Sequence, residues 1–115
     1  MTSLWDLPDF DEHELVHFVT DPATGLRAVI GVHSTHLGPG AGGTRLWHYA
    51  SPEDAIADAL RLSRGMSYKN AMAGLPLGGG KAVILADAKR TKTPEMLAAF
   101  GRAVDGLCGR YITAE

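Results

Sequence analysis

The chain is 115 residues long, room for one hydrophobic core and not two. Its 45% hydrophobic and 21% charged residues are ordinary globular values, which excludes disordered, collagen-like and disulfide-scaffold classes. A formal net charge of −2 offers no basic face for nucleic acid or an anionic membrane. The first twenty residues are acidic (Asp6, Asp9, Asp11, Glu12, Glu14), and no stretch approaches the ~18 uncharged apolar residues of a membrane span. The expected setting is therefore the cytoplasm.

In chain order, Glu14 to Thr20 (ELVHFVT) is β-prone and runs into Asp21-Pro22-Ala23-Thr24-Gly25, a turn sequence, before a second β-prone run from Leu26 to His36. This pattern predicts an antiparallel hairpin with Val16 and Phe18 on one face and Leu15 and Val19 on the other. A glycine cluster, Gly38 to Gly43, follows, then a short strand from Thr44 to Trp47. Ser51-Pro52-Glu53-Asp54 reads as a helix start, with Ser51 as cap, Pro52 in the first position and acids at the positive end of the dipole. Ile56, Ala59, Leu60, Ser63 and Met66 recur three or four apart, so this helix should run about twenty residues and carry Lys69 near its far end. Gly74, Pro76 and Gly78-Gly79-Gly80 then break the chain, and Lys81 stands at the start of a buried strand, Ala82 to Leu85.

Thr93-Pro94-Glu95 opens a second helix through about Leu107, burying Met96, Leu97, Phe100 and Val104, with Gly109 as its stop and a last strand from Arg110 to Thr113. The only cysteine, Cys108, has no disulfide or metal partner and is read as a buried helix residue. The five histidines lack carboxylate or cysteine partners at metal-ligand spacing, so no metal site is expected; they are read as solvated or hydrogen-bonded. The elements together predict an α/β domain with a mixed, partly antiparallel sheet sandwiched by helices. The chain's end directly after a strand reads as a cut rather than a natural terminus.

Two phosphate-binding readings fail on local order. Gly38-Pro39-Gly40-Ala41-Gly42-Gly43 satisfies G-x-G-x-x-G, but Thr44-Arg45-Leu46-Trp47 continues as strand where a dinucleotide loop needs a helix. The run ending Gly79-Gly80-Lys81 has Leu75 and Ala82 where a P-loop needs Gly and Ser or Thr, and its strand follows the glycines instead of preceding them. What survives is a pair of lysines, Lys69 and Lys81, each beside tight glycine turns. Three consecutive glycines lose much backbone entropy on folding and imply that something approaches the backbone closely.

The stretch GPGAGGTRLWHYASPEDAIADALRLSRGMSYKNAMAGLPLGGGKAVI, positions 38–84, resembles the signature region of the glutamate/leucine/phenylalanine/valine dehydrogenase family, and its core, K-N-A followed by L-P-L-G-G-G-K, is specific to it. The likeness extends more loosely over most of the chain. It implies an amino-acid dehydrogenase N-terminal fold, with residues 1–115 as a substrate-binding and oligomerisation domain. The NAD-binding Rossmann domain would be absent from the chain. By the same resemblance Lys69 holds the substrate α-carboxylate, and Lys81 is the catalytic lysine that activates water and polarises the α-keto oxygen. Gly42 and Gly43 form a backbone turn against the substrate, and Met66 is an apolar pocket residue. Glutamate-specific members usually carry a lysine just before the paired glycines, whereas this chain has Ala41, which by the same resemblance leaves room for a bulky or aromatic substrate side chain. The family's catalytic Asp would come immediately after Thr113-Ala114-Glu115. The implied activity is reversible NAD-dependent oxidative deamination of a Leu/Val/Phe-type L-amino acid to a 2-keto acid and ammonia, in a homo-oligomer. The alternative is a non-catalytic oligomerisation or small-acid-binding module of the same fold.

Overall fold

The computed structural model describes residues 3–86 and 92–114; Glu115 lies outside the described residues. A short 3-10 turn, Leu4–Asp6, leads into β1 (Leu15–Asp21), β2 (Leu26–Ser34) and β3 (Gly40–Trp47). Then come helix α1 (Pro52–Met72), β4 (Gly78–Leu85), helix α2 (Pro94–Asp105) and β5 (Tyr111–Ala114). The strands form one sheet in the order β1-β2-β4-β3-β5. β1, β2 and β4 pair antiparallel, while β3 is parallel to both β4 and β5. The mixed sheet between two helices is the architecture expected.

The hairpin closes on Gly25 at φ +76, a left-handed conformation that glycine adopts without steric cost. Its register, Leu15↔Val32 to Asp21↔Leu26, places Leu15 and Val19 against the α2-side core and Val16 against the α1-side core, as alternation predicts. Phe18 shares the face of Val16 and is half exposed. On β2 and β4 the alternation sorts the core. Ile30, Val32, Ala82 and Ile84 meet Met96, Ala99 and Phe100 of α2, whereas Val29 and Val83 meet Ala55 and Ala59 of α1. Burying each large apolar side chain here contributes roughly 1.5–3 kcal/mol, so the α2 side, with the larger residues, is the stronger half of the core.

Both helices start where their cap sequences place them. Thr93 Oγ1 accepts a hydrogen bond from the Met96 N–H at 3.1 Å. Ser51 has the extended backbone of an N-cap, but its hydroxyl makes no capping bond; Asp54 N–H donates to the Ser51 carbonyl at 3.2 Å instead.

Four expectations need correction. Cys108 is exposed, past the end of α2 at φ +55, because the helix stops at Asp105 and the chain turns through Gly106 to Gly109. Leu97 is 40% exposed, since the inward stripe of α2 runs through Met96, Ala99 and Phe100 and leaves Leu97 at its edge. Lys81 lies in mid-strand, not at a strand start, because the three glycines are themselves the first residues of β4. In the same way Gly40, Gly42 and Gly43 belong to β3, which begins earlier than Thr44.

The close approach that the glycine triplet implied comes from the protein itself. A Cβ on Gly79 would stand 2.2 Å from Ser67 Oγ and 2.4 Å from the Ser63 carbonyl oxygen, so α1 rests directly on the β4 backbone. One on Gly78 would stand 1.8 Å from the Ser34 carbonyl oxygen. The acidic lead-in is fastened to the same helix. His13 Nε2 donates to the Leu60 carbonyl at 2.7 Å while its Nδ1 accepts from the Asp11 N–H at 3.1 Å. His33 Nε2 donates to Asp11 Oδ2 at 2.8 Å, and its Nδ1 lies 2.7 Å from Ser67 Oγ.

Candidate active site

The predicted site residues fall on three elements that meet at the glycine-rich ends of β3 and β4. Ala82 and Ile84 face α2 and Val83 faces α1, so strand alternation puts Lys81 on the α1 side, half-buried. Its antiparallel neighbour is Gly31, whose missing side chain leaves the lysine stem uncrowded on that flank. Lys69 is exposed on the last turns of α1, three residues after Met66 and one before the buried Asn70. Met66 abuts β3: its Cγ lies 3.2 Å from where a Cβ on Gly42 would be. Neither lysine makes an ion pair among the described residues. An ammonium group without a counter-ion among the described residues attracts an anion.

The paired glycines interrupt the β3/β4 ladder while staying paired with Thr113 and Ala114 of β5. The β3/β4 ladder pairs Gly40↔Gly78 and Ala41↔Gly79, then resumes at Thr44↔Ala82 and continues to Trp47↔Leu85, leaving Gly42 and Gly43 between. A side chain at position 42 is impossible without movement, since its Cβ would come 1.7 Å from the Gly80 carbonyl oxygen. Ala41, half-buried, is the one residue of the Gly40–Gly43 run with a side chain. With the offset between the strands the same on both sides of the gap, Gly43 runs alongside Lys81.

Two buried side chains that the sequence did not single out hold this segment. Asn70 donates from Nδ2 to the Gly78 carbonyl at 2.7 Å and to the Ala41 carbonyl at 3.2 Å, tying the end of α1 to both strands. Tyr111, 2% exposed, donates to the Gly42 and Gly43 carbonyls, each at 3.1 Å. Burial pushes the Tyr111 phenol above its ordinary value, so it stays protonated as a donor through the neutral range. A buried Asn directly after Lys69 in a helix was a usable signal for Asn70, since Asn is unfavourable in a helix interior unless its amide has partners. Tyr111 gave none, because an aromatic in a β-prone run reads as ordinary core.

The two glycine clusters do not form a nucleotide loop. β3 continues through Gly40–Trp47, α1 opens only at Pro52, and the second cluster passes directly into β4. Among the described residues no group of His, Cys, Asp or Glu could hold a metal ion. No described helix is long and apolar enough to cross a membrane.

The Glu/Leu/Phe/Val dehydrogenase dimerisation domain model matches residues 13–115. The chain is 58% identical over 104 residues to a leucine dehydrogenase of Geobacillus stearothermophilus and 61% identical over 102 residues to a valine dehydrogenase of Streptomyces virginiae. These matches cover 90% and 89% of this chain but 28% of each relative, so the chain spans little more than a quarter of their length. Among solved structures, the L-tryptophan dehydrogenase from Nostoc punctiforme matches with a TM-score of 0.85 at 51% identity, covering 88% of this chain and 30% of that one. The Leu-bound form of the hetero-hexameric glutamate dehydrogenase from Thermus thermophilus matches at 0.64 and 25% identity, over 86% and 25%. With the fold and these relatives in agreement, the chain belongs to the Glu/Leu/Phe/Val dehydrogenase family and corresponds to its dimerisation domain.

Proposed function

We propose that this chain is the substrate-binding part of an NAD-dependent amino-acid dehydrogenase that interconverts an apolar L-amino acid of the Leu/Val/Phe type with its 2-keto acid and ammonia. The observation that carries the reading is the gap in the β3/β4 ladder at Gly42 and Gly43, flanked by Lys81 on the neighbouring strand and by Met66 on α1. Backbone without side chains lets a small substrate come close, and two cations without an ion-pair partner among the described residues suit a carboxylate and a carbonyl oxygen.

In this reading Lys69, exposed on a flexible stem, takes the α-carboxylate and fixes the substrate's orientation. Lys81, half-buried beside Gly43, stands at the reacting carbon, where its ammonium polarises the keto oxygen and its amine takes a proton from the attacking water. Ala41 and Met66 line the side-chain end of the site. Neither can pair with a carboxylate, which favours an apolar substrate over glutamate. The leucine, valine and tryptophan dehydrogenases among the relatives support that preference.

A nicotinamide cofactor fits the dehydrogenases among the relatives, and in this reading these residues contribute the substrate's side of the cleft. The match to a dimerisation domain supports a homo-oligomer, and a cytoplasmic setting fits the composition. The test is Lys81→Ala in the full-length protein. Loss of a general acid–base group lowers turnover by about 10²-fold or more, and turnover within about threefold of the parent would refute the assignment.

A further inference from the structure

We propose that Tyr111 is the positioning residue that sets the Gly42–Gly43 backbone against the substrate. The inference rests on the reading of that segment as substrate-facing. Gly42 and Gly43 are the two residues that the β3/β4 ladder skips, so the bonds that fix a normal strand to that neighbour do not fix these two. On their other flank they pair with Thr113 and Ala114 of β5, and their carbonyls converge on a single phenol of that same strand: the Tyr111 hydroxyl lies 3.1 Å from the Gly42 oxygen and 3.1 Å from the Gly43 oxygen.

That hydroxyl is held in place from several sides. Tyr111 opens β5 in register with Gly40, and its ring is part of the α2-side core. The ring rests over Gly80, where a Cβ would come 2.7 Å from Cδ1, so the absence of a side chain at position 80 makes room for it. The Thr44 hydroxyl lies 3.5 Å from the phenol oxygen and 2.6 Å from the Thr113 hydroxyl. From the opposite side Asn70 holds the preceding carbonyl, that of Ala41. The carbonyls of residues 41, 42 and 43 are thus gripped by two buried side chains, Asn70 from helix α1 and Tyr111 from the adjacent strand β5. Of these two side chains only Tyr111 reaches the glycines themselves, which β5 also holds through the pairs Gly42↔Thr113 and Gly43↔Ala114.

Tyr111 touches the backbone and not the reacting atoms, so its loss should alter how the substrate is seated more than the chemical step. Displacing a surface that the substrate meets in both ground and transition states removes uniform binding, which raises KM and leaves kcat near its parent value. Tyr111→Phe keeps the ring's volume and removes only the hydroxyl.

In the full-length protein, Tyr111→Phe is expected to raise KM for the amino acid about tenfold with kcat within about threefold. Backbone amide exchange across Gly40–Trp47 should accelerate. A KM within twofold of the parent overturns the proposal, whether or not thermal stability falls, because a purely structural loss lowers the amount of active protein without moving KM. A second measurement needs no destabilising change: 3-fluorotyrosine at position 111 should show a fluorine resonance that shifts when 4-methyl-2-oxopentanoate is added, and an unmoved resonance also overturns it. Lys81→Ala measured alongside separates the two levels. Lost turnover there with an unmoved KM in Tyr111→Phe sinks the Tyr111 role alone, whereas retained turnover in Lys81→Ala sinks the reading beneath it.

Discussion

Removing the Asn70 carboxamide should loosen the domain at the place where helix and sheet meet. Asn70 is 6% exposed and donates to two carbonyls, that of Gly78 at 2.7 Å and that of Ala41 at 3.2 Å. Asn70→Ala leaves both without this donor in a region largely closed to water. Stranding a buried acceptor costs about 1–3 kcal/mol. The longer bond is the weaker, so the expected total is about 2–4 kcal/mol. For a domain of this size, with a stability of roughly 5–15 kcal/mol, that is a large fraction and corresponds to a fall in Tm of roughly 10 to 25 °C.

Asn70→Asp makes the argument sharper. At neutral pH a carboxylate would face two carbonyl oxygens and cost more than alanine, and this repulsion, with burial, raises the folded-state pKa of the aspartate above its unfolded value of about 3.9. Its excess penalty is therefore absent below about pH 4 and grows as the pH rises from there towards the folded value. Urea unfolding of the wild type and both variants between pH 4 and 8 measures this. A cost for Asn70→Ala below about 0.5 kcal/mol, or an Asn70→Asp deficit that does not change with pH, would refute the reasoning.

The same chemical change at two glycines should have opposite signs. Gly79→Ala puts a methyl group 2.3 Å from the Ser67 backbone nitrogen and 2.4 Å from the Ser63 carbonyl oxygen, atoms that cannot give way without shifting α1, and it should cost about 3 kcal/mol. Gly65→Ala, in mid-helix with nothing within 4 Å of the new methyl, should stabilise by about 0.5–1 kcal/mol in the same urea titration. Acid should weaken the fastening of the N-terminal arm through His13. Burial, the main cause, lowers the His13 pKa below 6.5; the nearby His33 and Arg64 act in the same direction, against the Leu60 carbonyl and Asp11. Protonating Nδ1 would also destroy its bond from the Asp11 N–H. The folded chain therefore resists a proton that the unfolded chain takes up, so this contribution is complete above about pH 6.5 and is lost as the pH falls below it. His13→Gln should flatten that part of the stability–pH curve, and an unchanged slope would count against the mechanism.

Much of this was legible from local rules. Turn chemistry at Asp21–Gly25 marked the hairpin, a Pro-headed cap marked each helix, and alternation along β2 and β4 assigned residues to the two cores, because each depends on neighbours only a few positions away. The lysines and paired glycines were found through a family resemblance, whose motif preserves spacing but says nothing of contacts. Boundary errors clustered where glycine was read as a breaker. Gly40–Gly43 and Gly78–Gly80 are strand residues, and glycine's usual penalty there is offset by the close packing that only a missing side chain allows.

What the sequence determined by itself was the set of elements, the absence of a nucleotide loop and the pair of lysines on glycine-rich chain. Tertiary structure decided the rest. It made β3 parallel to β4 and β5, laid α1 on the bare backbone of Gly79, and brought Asn70 of α1 and Tyr111 of β5 to the carbonyls of Ala41, Gly42 and Gly43. The physical reason is distance along the chain. Asn70 lies 29 residues from Ala41 and Tyr111 lies 69 from Gly42, so these bonds form only once the sheet has closed, and no local periodicity encodes them.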